Sequence, residues 1–96
     1  MLDTAFMREA LLWKAAAAVR SALARRPSDA ELNLYLAVLS EGRGDLVTAG
    51  RLYEKALVRN PELYPARRRY ALLLAKLGRS TEASAIMQAG NGDTRY

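Results

Sequence analysis

The sequence contains neither cysteine nor histidine among its 96 residues. Without thiolate or imidazole groups the chain cannot form a disulfide, a Cys/His zinc site, or a Cys or Ser–His nucleophile pair. The spacing of its carboxylates does not predict two of them facing each other in a cleft, and it has no glycine-rich phosphate-binding loop. The sequence therefore predicts a protein that is not an enzyme and that needs no metal and no cofactor.

Long apolar runs and secretory features are missing as well. Lys14 and Arg20 interrupt the one apolar stretch near the N-terminus, and Asp3 lies where a secretory signal carries basic residues. No run approaches the roughly 18 apolar residues of a membrane span. We therefore expect a soluble chain without membrane insertion. A cysteine-free chain is tolerated in reducing and oxidising compartments alike, so cytoplasm and periplasm both stay open.

Aromatic residues and prolines are scarce, whereas alanine and leucine together fill 34 of the 96 positions. Good helix formers at that density, with few β-branched residues, predict an all-α protein. The length corresponds to one small domain.

The net charge of +5 is concentrated in one segment, residues 59–79, which has six basic residues and one acidic residue. The six are Arg59, Arg67, Arg68, Arg69, Lys76 and Arg79. This distribution favours a local contact with an anionic partner over binding of a polyanion across the whole surface. Because Tyr70 is expected in the core, the segment lacks exposed aromatic residues for base stacking, and nucleic acid is disfavoured as a partner.

Turn residues divide the chain into five predicted helices. The first spans about residues 4–25 and ends before Pro27. The segment from Ser28 to Glu31 has the pattern of a capping box, which predicts that a second helix begins at Ser28. Gly42 and Gly44 end that helix.

Turn residues and helix-capping residues also predict the bounds of the remaining three helices. Asp45 is predicted to cap the third, and Pro65 lies in the first turn of the fourth. Gly78 ends the fourth helix, and Ser80 is predicted to cap a fifth that closes at Gly90. Residues 91–96 are predicted to form a flexible tail.

Small residues and turn residues recur at a fixed spacing along the chain. We call this spacing the repeat period, and it equals the separation between positions 27 and 61. The pairs are Pro27 and Pro61, Gly44 and Gly78, Ala37 and Ala71, Leu39 and Leu73, Ala49 and Ala83, and Ala22 and Ala56. A period shared by prolines, glycines and alanines in the same order indicates that one helix–turn–helix unit is repeated.

These residues also follow the order of a known repeat. One unit reads Asn33, Leu36, Ala37, Ser40, Ala49, Tyr53, Ala56, Pro61. The next reads Arg67, Tyr70, Ala71, Leu74, Ala83, Met87, Gly90, and before both stand Ala15, Val19, Ala22 and Pro27. The pattern resembles the tetratricopeptide repeat, at about two and a half repeats covering nearly the whole chain. Asn33 and Arg67 depart from the family's early tryptophan, and Ser40 and Gly90 replace an aromatic residue and an alanine.

The resemblance implies a fold and a division of the chain. The fold is a short right-handed α-solenoid of stacked antiparallel helix–turn–helix repeats. Its parts are an N-terminal helix at 1–26, which is the second helix of an incomplete repeat or a cap, full hairpins at 27–63 and 64–90, and the tail at 91–96.

The resemblance also implies a binding scaffold, in which the first helices of successive hairpins line a groove for a partner peptide or helix. The positions that would line it are Leu34, Tyr35, Val38, Arg68, Arg69, Leu72 and Lys76. Their mixture of apolar and basic side chains predicts a protein partner with apolar and acidic residues. Some family members grip a C-terminal carboxylate with a Lys and Asn clamp, but Leu34 and Val38 occupy those positions, which disfavours that mode.

Other interpretations remain open at this point. Leu34 and Val38 can instead pack under the long first helix, and residues 67–69 can be a merely solvated face. Two and a half repeats without an obvious C-terminal capping helix also fit an oligomerisation module, a homo-oligomer or a piece of a larger assembly.

Overall fold

Five helices joined by short turns account for residues 4–91, the part of the chain that the computed structural model describes. They are α1 (Thr4–Arg25), α2 (Ala30–Gly42), α3 (Leu46–Arg59), α4 (Tyr64–Lys76) and α5 (Ser80–Asn91). No strand occurs within this range, so the all-α prediction is confirmed. The predicted tail lies outside the described residues from position 92 onward.

Two glycines end helices by adopting backbone angles that other residues rarely take. Gly44 follows α2 with φ of 84° and Gly78 follows α4 with φ of 78°. A Cβ at either position would meet no heavy atom within 4 Å. The backbone conformation, rather than lack of space, therefore favours glycine at both turns.

The structure corrects two of the predicted caps. Asp29, not Ser28, caps α2, and its Oδ1 accepts a hydrogen bond of 2.9 Å from the Leu32 amide. Ser80 is the first helical residue of α5, because the Ala83 amide bonds to the Arg79 carbonyl and so puts Arg79 in the capping position. The prediction for α3 is confirmed, since Asp45 accepts a bond of 3.2 Å from the Thr48 amide.

Each helix packs against the next along the chain, so α3 lies between α2 and α4. The central core comes from α2 to α5 and includes Leu34, Ala37, Tyr53, Tyr70 and Leu74. The Tyr53 and Tyr70 rings stack across α3 and α4 with centroids 6.0 Å apart. The core is therefore continuous through four of the five helices.

The contact between α1 and α2 buries few residues of α1. Ala16 is the one fully buried residue of α1, and it is not part of the central cluster. A Cβ at Gly42 would lie 3.3 Å from a methyl group of Leu12, so the last turn of α2 approaches α1 closely there. The Arg43 guanidinium lies over the Trp13 ring, 3.6 Å from its centroid. Residues 4–11 of α1 are all exposed.

Two polar side chains hold the proline turns at equivalent places. Asn33 is buried, and its amide nitrogen donates to the carbonyls of Pro27 at 3.2 Å and Asp29 at 2.8 Å. Arg67, one repeat period later, donates to the carbonyl of Pro61 and, at 3.0 Å, to that of Ile86. The interpretation of residues 67–69 as one solvated face is therefore wrong for Arg67, which is half-buried.

Candidate functional site

An open groove of about 490 Å³ lies along α4 where it faces the end of α2. Its lining contains three of the seven predicted site residues, Arg69, Leu72 and Lys76, together with Ala75 and Glu41. The spacing of three and four residues from Arg69 to Lys76 puts these side chains on one face of the helix. The Leu72 side chain is 59% exposed, so the groove offers an apolar contact between two basic groups.

Glu41, on α2, contacts residues of α3 and α4 at one wall of this groove. Its Oε1 accepts a hydrogen bond of 2.5 Å from the Tyr53 hydroxyl on α3, and its Oε2 lies 3.6 Å from the Lys76 Nζ on α4. The Glu41 side chain is mostly buried, whereas the Lys76 side chain is 68% exposed. The repeat resemblance that puts Leu34 and Val38 on the groove wall also implies a position there for Glu41, but it predicts no role for this residue.

A signal for Glu41 does exist in the sequence. It is an acidic residue in the last turn of α2, where no basic residue is present. The carbonyl end of a helix carries partial negative charge, so a carboxylate there is unfavourable unless other groups compensate for it. Tyr53 and Lys76 supply that compensation.

The Tyr53 hydroxyl stays a hydrogen-bond donor in this environment. Burial raises the pKa of Tyr53 well above its usual value, the bond to Glu41 raises it further, and the charge of Arg69 lowers it in part. The phenol is thus neutral throughout the physiological range.

The other four predicted site residues do not line this groove. Leu34 is 7% exposed and belongs to the central core, and half-buried Val38 packs against the same cluster. That cluster comes from α2 to α5 and includes no residue of α1. Tyr35 and Arg68 are exposed. Leu34 therefore has little surface to offer a partner.

A second concave surface, of about 400 Å³, lies among α3, α4 and α5. Apolar side chains such as Leu57 and Ile86 line it together with two carboxylates, Glu54 and Glu82. Burial raises the pKa of Tyr70 to about 12, and hydrogen bonding to Glu54 contributes. Sequence reasoning did not identify this surface, because its residues come from three helices whose packing angles set their separation.

Two other kinds of site are absent from the described chain. Residues 4–91 contain no group of three or more acidic, cysteine or histidine residues arranged to hold a metal ion. No helix in that range combines the length and apolar character that crossing a membrane requires.

Comparisons with known proteins assign this chain to no family. No family model matches the sequence, and no match is found among the curated proteins or among the solved structures.

Proposed function

We propose that this chain is a tetratricopeptide-like, non-catalytic interaction module with its helices arranged as a short right-handed solenoid. Two pairs of residues that lie one repeat period apart have the same structural role, and this supports the repeat. Gly44 and Gly78 adopt the same left-handed turn conformation. Asn33 and Arg67 donate to the carbonyls of Pro27 and Pro61, which are themselves one repeat period apart.

The groove along α4 carries the functional part of the proposal. Exposed Leu72 lies between Arg69 and Lys76, so a partner segment with an apolar side chain flanked by carboxylates matches it in both respects. Apolar burial supplies most of the affinity, and the basic groups set orientation, association rate and salt sensitivity. The Lys76 side chain is 68% exposed and its Nζ lies 3.6 Å from Glu41, so a partner's carboxylate can compete for the lysine.

A protein partner fits this groove better than nucleic acid does. Glu41 contributes a negative charge inside the basic surface, which would repel a phosphate backbone. Tyr70 is 7% exposed, so its ring offers no surface for base stacking. Arg67 donates to two carbonyls and adds little to the outward charge.

The test uses two labelled helical peptides that share a leucine stripe, one with glutamates beside the stripe and one with lysines at the same positions. We expect fluorescence anisotropy to show that the glutamate peptide binds more tightly and that its affinity falls as salt rises. Leu72→Ala should weaken binding about tenfold, the equivalent of about 1.4 kcal/mol. Because Arg69 lines the groove, Arg69→Glu should reverse the preference between the peptides.

Arg20→Glu is the matched control, because it makes the same charge change at an exposed position on α1, away from the groove. It should leave the peptide preference unchanged, and circular dichroism should show that every variant keeps the helical content. Equal binding of both peptides, or a preference that survives Arg69→Glu, contradicts the proposed groove.

A further inference from the structure

The N-terminal helix has an apolar face that nothing in residues 4–91 covers. The residues of this face follow one another at spacings of four, four, three and four. Residues spaced in this way lie along one stripe of a helix. They are Met7, Leu11, Ala15, Ala18 and Ala22. Met7 is 47% and Leu11 66% exposed, Ala15 and Ala18 are exposed, and Ala22 is half-buried. The contact with α2 uses a different side of α1, around Leu12 and Ala16.

The corresponding face of α3 indicates what the stripe is suited to contact. Ala15 and Ala22 correspond, one repeat period later, to Ala49 and Ala56, which have no exposed surface. Gly50 faces α4, since a Cβ there would lie 3.9 Å from atoms of Leu73 and Tyr70. The buried alanines of α3 lie about 100–120° from Gly50 around the helix, and both belong to the central core. On α1 the equivalent surface has the same small residues, and no helix within residues 4–91 packs on them.

The opposite end of the molecule does not offer a matching surface. The face of α3 that meets α4 includes Gly50 and Tyr53, and the positions one repeat period further on are Ser84, exposed on α5, and Met87, which is 38% exposed. One methionine beside an exposed serine gives less apolar area for another helix than the stripe on α1 does. Head-to-tail stacking of α5 on the α1 of the next copy is thus disfavoured, and open filaments with it.

The stripe on α1 is complementary to itself when two copies run antiparallel. Its large side chains, Met7 and Leu11, stand at one end, and its small ones, Ala18 and Ala22, stand at the other. A two-fold axis near Ala15 would bring Met7 opposite Ala22 and Leu11 opposite Ala18, so that large residues meet small ones and the helices approach closely. We propose that this face is the dimer interface of the protein, and that its occupant is the α1 helix of a second copy.

The first test measures association by sedimentation equilibrium over a wide range of protein concentration. The wild-type chain should show a concentration-dependent equilibrium between monomer and dimer. Ala18→Glu should raise the dissociation constant at least tenfold, because it puts a charge on the interface. Ala17→Glu is the matched control, since it changes an exposed alanine about 100° away on the same helix. Glutamate is a good helix former at both positions.

The second test uses the natural absence of cysteine to determine the direction of the pairing. Ala15→Cys, at the axis, should cross-link to itself under mild oxidation. Met7→Cys alone should not, whereas an equal mixture of Met7→Cys and Ala22→Cys chains should form the mixed dimer.

A wild-type chain that stays monomeric at millimolar concentration overturns the dimer. So does association that Ala17→Glu weakens as much as Ala18→Glu, or self-cross-linking of Met7→Cys as efficient as that of Ala15→Cys. The stripe contains no groove residue, so none of these three results bears on peptide binding at Leu72, and failure of peptide binding leaves the dimer intact.

Discussion

The carboxylate of Glu41 shows how one side chain can set the electrostatics of a whole groove. It accepts a hydrogen bond from Tyr53 and lies within ion-pair distance of Lys76. A buried carboxylate that kept neither partner would be costly, so Glu41 stabilises the groove in a defined arrangement. It also reduces the positive charge of the groove.

Tyr70 should make the stability of the protein depend on pH in the alkaline range. The pKa of its phenol rises from 10.0 to about 12 on folding, chiefly through burial. The folded state then keeps a proton that the unfolded chain releases, so stability is fully present below pH 10 and falls as pH rises from 10 to about 12. We expect the unfolding free energy, measured with urea, to fall less steeply over this interval in Tyr70→Phe.

Tyr64→Phe serves as the control, because the Tyr64 ring is 50% exposed. Its pH dependence should match that of the wild-type chain, because the substitution leaves the buried Tyr70 unchanged. A Tyr70→Phe slope equal to the wild-type slope would show that the phenol titrates alike in both states.

At the scale of helices, alanines determine how closely neighbours approach. Ala37 has no exposed surface and Ala71 is 5% exposed, and both belong to the central cluster. Ala37→Leu and Ala71→Leu should each lower the unfolding free energy by about 1–3 kcal/mol, because the larger side chain forces the helices apart. Chemical denaturation of the two variants and the wild-type protein measures this directly.

Ala24→Leu provides the comparison at an exposed position of α1. It should change the unfolding free energy by less than about 0.5 kcal/mol. If the core variants are as stable as this one, the two alanines are not at close helix contacts.

The helix boundaries could be predicted from the sequence because their signals are local. Prolines, turn glycines and acidic caps act within a few residues, so the bounds of α1 and the cap at Asp45 were predictable. The cap at Asp29 was assigned one residue too early, because serine and aspartate cap helices about equally well and the two are adjacent. Sequence alone does not decide between such neighbours.

The groove was predictable only in part, for a physical reason. Periodicity along one helix grouped Arg69, Leu72 and Lys76 correctly on a common face. The contacts of Glu41 with Tyr53 and Lys76 depend on distances between helices, which packing sets and spacing along the chain does not. The burial of Leu34 has the same origin. The peptide-binding role of the groove stays a prediction.

For the whole molecule, stability should be unevenly distributed. The helices α2 and α4 each contribute five buried residues, whereas α1 contributes one despite its 22 residues. Local unfolding of α1 exposes little apolar surface and therefore requires little free energy. The amides of α1 should therefore exchange with solvent through openings of lower free energy than those that expose the amides of α2 and α4. Native-state hydrogen exchange at a concentration that keeps the chain monomeric measures this, and exchange of α1 only through global unfolding would contradict it.

The placement of the single tryptophan gives the protein two separate optical reporters. Trp13 is half-exposed on α1 beneath the Arg43 guanidinium, whereas Tyr53 and Tyr70 are stacked in the core between α3 and α4. Indole emission follows the surroundings of the ring and so reports on the junction of α1 with α2, while tyrosine absorbance reports on the core. During thermal melting, the interval between the two signals gives the temperature range in which the end helix is detached and the rest of the molecule is still folded.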